Sequence, residues 1–368
     1  MTKTNKTSRT ASLGSTLLMI LLVAGLLLLD WLGVIELNLL DGGSGPVVEE
    51  PGGAWYQVYF TAPRYPDEDE YHHDGLDERL ATAIGEAQKS VDVAAYDLDL
   101  TRVTQALITA HNEGLRVRVV VDTDNVDLEP VRDLEKAGIV VVDDERSAIM
   151  HHKFVVIDGA TVWTGSWNLT DNGTYRNNNN VVVVQSVRLA ENYTAEFEEM
   201  FQERSFGPGS AANTPHPELN IGGVQVENYF APEDQVAHKL VPLLQGAQSS
   251  IRFMAFSFTH DDIGQAMRDR AVAGVNVQGV FEDRQVDDTF SEYGRLKQVK
   301  GVQVRLDGNP YVMHHKVIII DEQTVVLGSY NLSNSADEKN DENVLIVHDA
   351  EFAAHYLAEF QRIWAEAQ

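Results

Sequence analysis

Apolar residues fall into two kinds of stretch in this chain, one spaced three to four apart and one of short unbroken runs, and the two alternate. Residues 76–88 and 236–248 carry apolar positions at helical spacing, and residues 91–96 and 251–258 read as short strands. Residues 101–112 and 261–273 are expected as second helices stopped by Gly114 and Gly274, with 117–121 and 275–281 as buried strands. Strands alternating with helices predict an α/β layered fold. Residues 153–157 with 161–163, and 316–320 with 324–327, are joined by short polar turns, so part of each sheet is expected to be antiparallel.

The pattern is written twice. Tyr59-Phe60-Thr61-Ala62-Pro63 returns as Tyr229-Phe230-Ala231-Pro232, the segment 87–98 returns as 247–258, and Met150-His151-His152-Lys153 returns as Met313-His314-His315-Lys316. Order is kept throughout, which predicts two homologous lobes, 55–206 and 218–368, with a seam marked by Gly207-Pro208-Gly209, Pro215 and Pro217. The first copy is longer near the acidic segment 66–70.

Residues 10–29 are uncharged and follow Lys3, Lys6 and Arg9, a stretch long enough to cross a bilayer as a helix. Residues 1–40 are therefore expected to be a single-pass signal anchor, with 41–54 as a flexible tether and the body outside the cytoplasm. A cleaved signal peptide is the alternative, although no small-x-small site follows the run. Composition adds exclusions. The 368 residues are 43% apolar and 23% charged, as in globular chains, and the absence of Cys removes disulfides, thiolate nucleophiles and Cys-ligated zinc. The net charge of −28 repels polyanions unless a local basic pocket overrides it, so nucleic acid ranks behind other partners. The acidic run 66–70 and His72-His73-Asp74 read as solvated loop, and no metal or other cofactor is expected.

The candidate chemistry lies in what the copies share most closely. Copy one has His151-His152-Lys153, then Asp158, then Gly165-Ser166-Trp167-Asn168; copy two has His314-His315-Lys316, Asp321, then Gly328-Ser329-Tyr330-Asn331. On a strand, positions i and i+2 share a face, so His151 goes with Lys153 and His314 with Lys316, while His152 and His315 point the other way. Two lysines and two asparagines converging on one point suit the non-bridging oxygens of a phosphodiester. One histidine can attack phosphorus and the other can protonate the leaving oxygen and then activate water. Asp158 and Asp321 are expected to orient an imidazole, and Ser166, Asn168, Ser329 and Asn331 to bind phosphate.

These residues resemble the phospholipase D superfamily, whose members carry two such His-x-Lys-Asp motifs. The resemblance spans about residues 55 to 368. It implies two phospholipase D-like lobes with mixed sheets flanked by helices, related by a pseudo-two-fold axis within one monomer, and one metal-free active site at the seam. It also implies His151 as nucleophile and His314 as acid, with the reverse assignment open. Glu342, eleven residues after Asn331, resembles the acidic position that follows the second motif, and it joins the phosphate-binding set. Its counterpart in copy one is Asn179. The expected reaction is hydrolysis of a phospholipid headgroup phosphodiester through a phosphohistidine. A superfamily nuclease and a phosphatidyl transferase of the cardiolipin synthase type are the alternatives.

Overall fold

The computed structural model describes residues 47–50 and 55–368, and within Gly45–Gln368 the chain forms one compact unit. The expected membrane anchor lies outside the described residues. Among the described residues, no helix is long and apolar enough to cross a membrane.

In lobe one, β1 (Val47–Glu50) and β2 (Tyr56–Thr61) precede helix α1 (Leu76–Gly85), β3 (Ser90–Ala95), α2 (Thr101–Asn112), β4 (Arg116–Val121), α3 (Glu129–Lys136) and β5 (Val140–Asp143). There follow β6 (Lys153–Ile157), β7 (Thr161–Gly165), the two-residue β8 (Asn177–Asn178), β9 (Asn180–Gln185) and α4 (Val187–Glu198). The sheet order is β1-β2-β9-β7-β6-β3-β4-β5, parallel from β3 to β5 and antiparallel elsewhere.

Lobe two repeats this plan. It comprises β10 (Glu218–Ile221), β11 (Val224–Ala231), α5 (Val236–Gln245), β12 (Ser250–Ala255), α6 (Asp261–Val272), β13 (Asn276–Phe281), α7 (Glu292–Lys297) and β14 (Val302–Leu306). The short β15 (Val312–Met313), β16 (Lys316–Ile320), β17 (Thr324–Gly328), α8 (Asn334–Glu338), β18 (Glu342–His348) and α9 (Ala350–Glu366) complete it, and the sheet order is β10-β11-β18-β17-β16-β12-β13-β14.

Strand alternation sets the layers. Along β6, Phe154 and Val156 enter the core between the two sheets, while Val155 and Ile157 face α1, α2 and α3 on the outside. The central core also holds Leu189, Tyr193 and Phe197 of α4 and Phe352, Tyr356 and Phe360 of α9, so both helices are sandwiched between the sheets. Each such fully buried aromatic side chain stabilises the closed pair of lobes by about 2–3 kcal/mol. The seam is stitched by backbone as well. Met313 pairs in parallel with Asn178, and Met150 with Asp341, at equivalent points of the two lobes.

Candidate active site

His151 and His314 each enter a strand of their own lobe and are fixed by the backbone of the other. The His151 N–H donates to Asp341 O at 3.0 Å, and the His314 N–H donates to Asn178 O at 2.9 Å. One residue earlier, Met150 N donates to the Asp122 carboxylate (2.8 Å) and Met313 N to that of Glu282 (2.7 Å), which pins the chain as it enters each strand. The side chains then cross the seam as the backbone does. His151 Nδ1 lies 2.7 Å from Glu342 Oε1 of lobe two, whereas His314 Nδ1 lies 2.9 Å from Asn179 Oδ1 of lobe one and 3.0 Å from Ser166 O.

The two lysines flank this pair. Lys153 Nζ donates to His151 O at 2.7 Å and lies over the Tyr96 ring; Lys316 Nζ donates to His314 O at 2.9 Å and lies over Phe256. An ammonium has three donors, so two on each lysine remain for an anion. Burial pushes Lys153 down to about 7 despite the opposing pull of Glu342, and Lys316 falls well below the usual lysine range through burial and the charge of Lys153. Both histidines are held low by burial, with the two lysines adding to it. Burial raises Glu342 to about 8. An anion in this cleft would reverse the lysine and histidine shifts, because it supplies the charge the desolvated cations lack.

The geometry corrects several expectations. Asp158 and Asp321 orient no imidazole. They sit beyond the far ends of β6 and β16, about 17 Å of strand from the lysines. There the Asp158 carboxylate accepts from the N–H groups of Gln88, Lys89 and Ser90, and Asp321 accepts from those of Gln248, Ser249 and Ser250. Those backbone bonds lower the pKa of both, against the opposing effect of burial.

Ser166 and Ser329 are fully buried and engaged within the protein, so they do not line a phosphate site. The Ser166 hydroxyl donates to Asn179 Oδ1 (2.9 Å) and accepts from Asn180 N; that of Ser329 accepts from Asn343 N (2.9 Å) and acts to lower the pKa of Glu342. Glu342, likewise fully buried, spends its carboxyl oxygens on His151 Nδ1, so its place is behind that ring and not against a phosphate. Gly165 and Gly328 make this packing feasible. Their φ values are +152° and +140°, and a Cβ at either would sit 2.2 Å from the carbonyl oxygen of Asn180 or Asn343.

Asn168 and Asn331 behave differently. Each keeps a buried Oδ1 acceptor without a protein partner, at equivalent places in the two halves; toward an anion only the Nδ2 end of either amide can donate. Sequence reasoning missed Tyr96, Phe256, Asn180, Asn343, Glu196 and Glu359. The matched positions of Tyr96 with Phe256, and of Asn180 with Asn343, in the repeat were the available signal.

Comparison with known proteins agrees with this architecture. A family profile described as "Cardiolipin synthase, PLD-like domain" matches residues 80–201 and 240–364, one segment in each lobe. A mitochondrial cardiolipin hydrolase of Xenopus tropicalis is 33% identical over 149 residues, 40% of this chain and 70% of the relative. A phospholipase D of Rickettsia bellii (strain RML369-C) is 32% identical over 152 residues, 40% of this chain and 75% of the relative. The chain spans between 50% and 80% of the length of curated relatives it matches. The solved phosphatidylserine synthase of Haemophilus influenzae Rd KW20 superposes with a TM-score of 0.59 at 13% identity, over 79% of this chain and 84% of that one, a likeness of fold. The profile falls on both lobes and covers most of the chain, which therefore belongs to the phospholipase D superfamily and is a hydrolase of the phosphodiesterase type.

Proposed function

We propose that the protein hydrolyses the headgroup phosphodiester of a phospholipid through a phosphohistidine on His151. The observation that carries this reading is the asymmetry of the histidine partners, a carboxylate for His151 and an amide for His314. Glu342 holds Nδ1–H of His151 and favours positive charge on that ring, which develops as Nε2 attacks phosphorus. Lys153 and Lys316, with the amides of Asn168 and Asn331, hold the non-bridging oxygens. His314, protonated once the anion is in place, gives its Nε2 proton to the leaving alcohol as the P–O bond breaks. It then takes a proton from water, which attacks phosphorus and frees His151.

The names of the curated relatives support a lipid diester, and the −28 net charge disfavours a nucleic acid. In the same reading, residues 10–29 anchor the body at a membrane from the extracytoplasmic side, raising the effective concentration of lipid.

The test uses the full chain, a chelator, and vesicles of phosphatidylcholine and cardiolipin mixed with a single-stranded oligonucleotide, with His314→Ala as control. Phosphatidic acid or another headgroup-cleavage product, with the oligonucleotide intact, is expected. Oligonucleotide fragments with intact lipid would overturn the lipid assignment.

A further inference from the structure

His152 and His315 point away from the cleft and take no part in the scheme above. We propose that each is a positioning residue that orients the catalytic histidine beside it through an asparagine of the opposite lobe, Asn343 for His152 and Asn180 for His315. The inference rests on the phosphodiesterase reading and adds residues that it does not use.

Both rings are fully buried between the sheets. His152 Nε2 lies 2.9 Å from Glu196 Oε1 on α4, and His315 Nε2 lies 2.9 Å from Glu359 Oε1 on α9. Their other nitrogens meet the opposite lobe, His152 Nδ1 with Asn343 Nδ2 at 3.3 Å and His315 Nδ1 with Asn180 Nδ2 at 3.0 Å. The amide orientations are fixed independently. Asn343 Oδ1 accepts from Thr164 Oγ1 (2.7 Å) and the Tyr193 hydroxyl (3.2 Å), and Asn180 Oδ1 accepts from the Tyr356 hydroxyl (3.4 Å). An amide nitrogen can only donate, so each Nδ1 is a lone pair and each Nε2 carries the proton given to its glutamate. Burial keeps both rings neutral, His152 down at about 3.

From the asparagines the path returns to the cleft. Asn343 donates to Ser329 Oγ through its backbone N–H (2.9 Å) and Nδ2 (3.3 Å), the Ser329 hydroxyl acts on the Glu342 carboxyl and lowers its pKa, and Glu342 holds His151. In the other half, Asn180 donates to Ser166 Oγ (3.1 and 3.2 Å), Ser166 donates to Asn179 Oδ1, and Asn179 holds His314. Through side chains, His152 thus reaches its own neighbour His151 by way of three residues of lobe two. Each half-site is complete only when the lobes are closed. The two paths also end differently, one on the attacking ring and one on the ring that gives the leaving group its proton.

That difference supplies the test, single-turnover cleavage by the full chain of two soluble substrates. Nitrophenolate leaves bis(4-nitrophenyl) phosphate without needing a proton; the alcohol of monomeric dihexanoyl phosphatidylcholine needs one. Asn343→Leu is expected to slow both by about tenfold, the loss set by one hydrogen bond in the path, with KM unchanged. Asn180→Leu is expected to slow the lipid by a similar factor and spare the nitrophenyl diester. If Asn343→Leu fails to fold, His152→Gln tests the same path with the same expectation. Variants with one shared pattern on both substrates, or with wild-type rates, would overturn the inference alone. A wild type that cleaves only the nitrophenyl diester would overturn the lipid assignment while the Asn343 arm still decides the network. A wild type that cleaves neither would overturn both.

Discussion

Glu342 and Asn179 occupy equivalent positions, yet one can carry charge and the other cannot, and in the proposed scheme that single difference gives two similar histidines different work. The same kind of asymmetry appears behind them. Glu359 is neutralised by Arg362, whose Nη2 lies 2.7 Å away, whereas its equivalent Glu196 faces Glu233 and Asp341. Burial and the charge of Glu196 push Glu233 up to about 10, so Glu233 holds a proton at neutral pH. An acid whose folded pKa is raised adds stability below its unfolded value near 4.5 and loses it as pH climbs toward 10. Glu233→Gln keeps the volume and removes that slope. The variant is expected to be more stable than wild type at pH 8.5, with the gap shrinking by pH 5. Urea midpoints at the two pH values measure it, and an equal gap at both would refute the assignment.

At the scale of elements, strand alternation was the most legible feature. The spacing of two that puts His151 with Lys153 and sends His152 elsewhere holds in the structure, because β6 and β16 are buried on both faces and cannot slip register without moving Phe154 or Ile318 into the wrong core. The first helices end three residues earlier than their apolar spacing predicted, at Gly85 and Gln245, since the following segments turn to meet Asp158 and Asp321. Those aspartates were misread because proximity in sequence was taken for proximity to the histidines, when five residues of extended strand separate them. Asp158→Ala is therefore expected to cost about 1–3 kcal/mol from three unmade backbone bonds, and to leave kcat unchanged in the folded protein. Thermal melting and turnover of one preparation decide it, and a lost kcat without lost stability would return Asp158 to the chemistry. The central helices α4 and α9 were not legible, because nothing local marks a helix as covered by two sheets at once. The acidic loop was half legible: Asp67 is not solvated, as its N–H donates to Tyr311 and its carboxylate takes Arg176 and His72.

For the whole molecule, the cleft is a cationic point inside a strongly acidic chain, and its two lysines come from different lobes. A phosphodiester or any tetrahedral anion bound there joins the lobes by charge, so it should stabilise the closed protein as well as occupy the site. Sulfate is a useful probe, because its charge stays constant across the range in which Lys153, near 7, loses its proton. The sign follows from binding. Lys153 is charged at pH 6 and mostly neutral at pH 8.5, so raising the pH takes a cation from the cleft and affinity falls. Added sulfate is thus expected to raise the melting temperature more at pH 6 than at pH 8.5, with a gain of about 2.7 kcal/mol when sulfate is at 100 times its Kd. Lys153→Met should weaken the pH dependence while leaving the fold intact, since its ammonium makes one internal bond, to His151 O. A sulfate effect of equal size at both pH values, or one unchanged in Lys153→Met, would mean that the anion binds elsewhere on the surface and that the cleft is not the molecule's anion site.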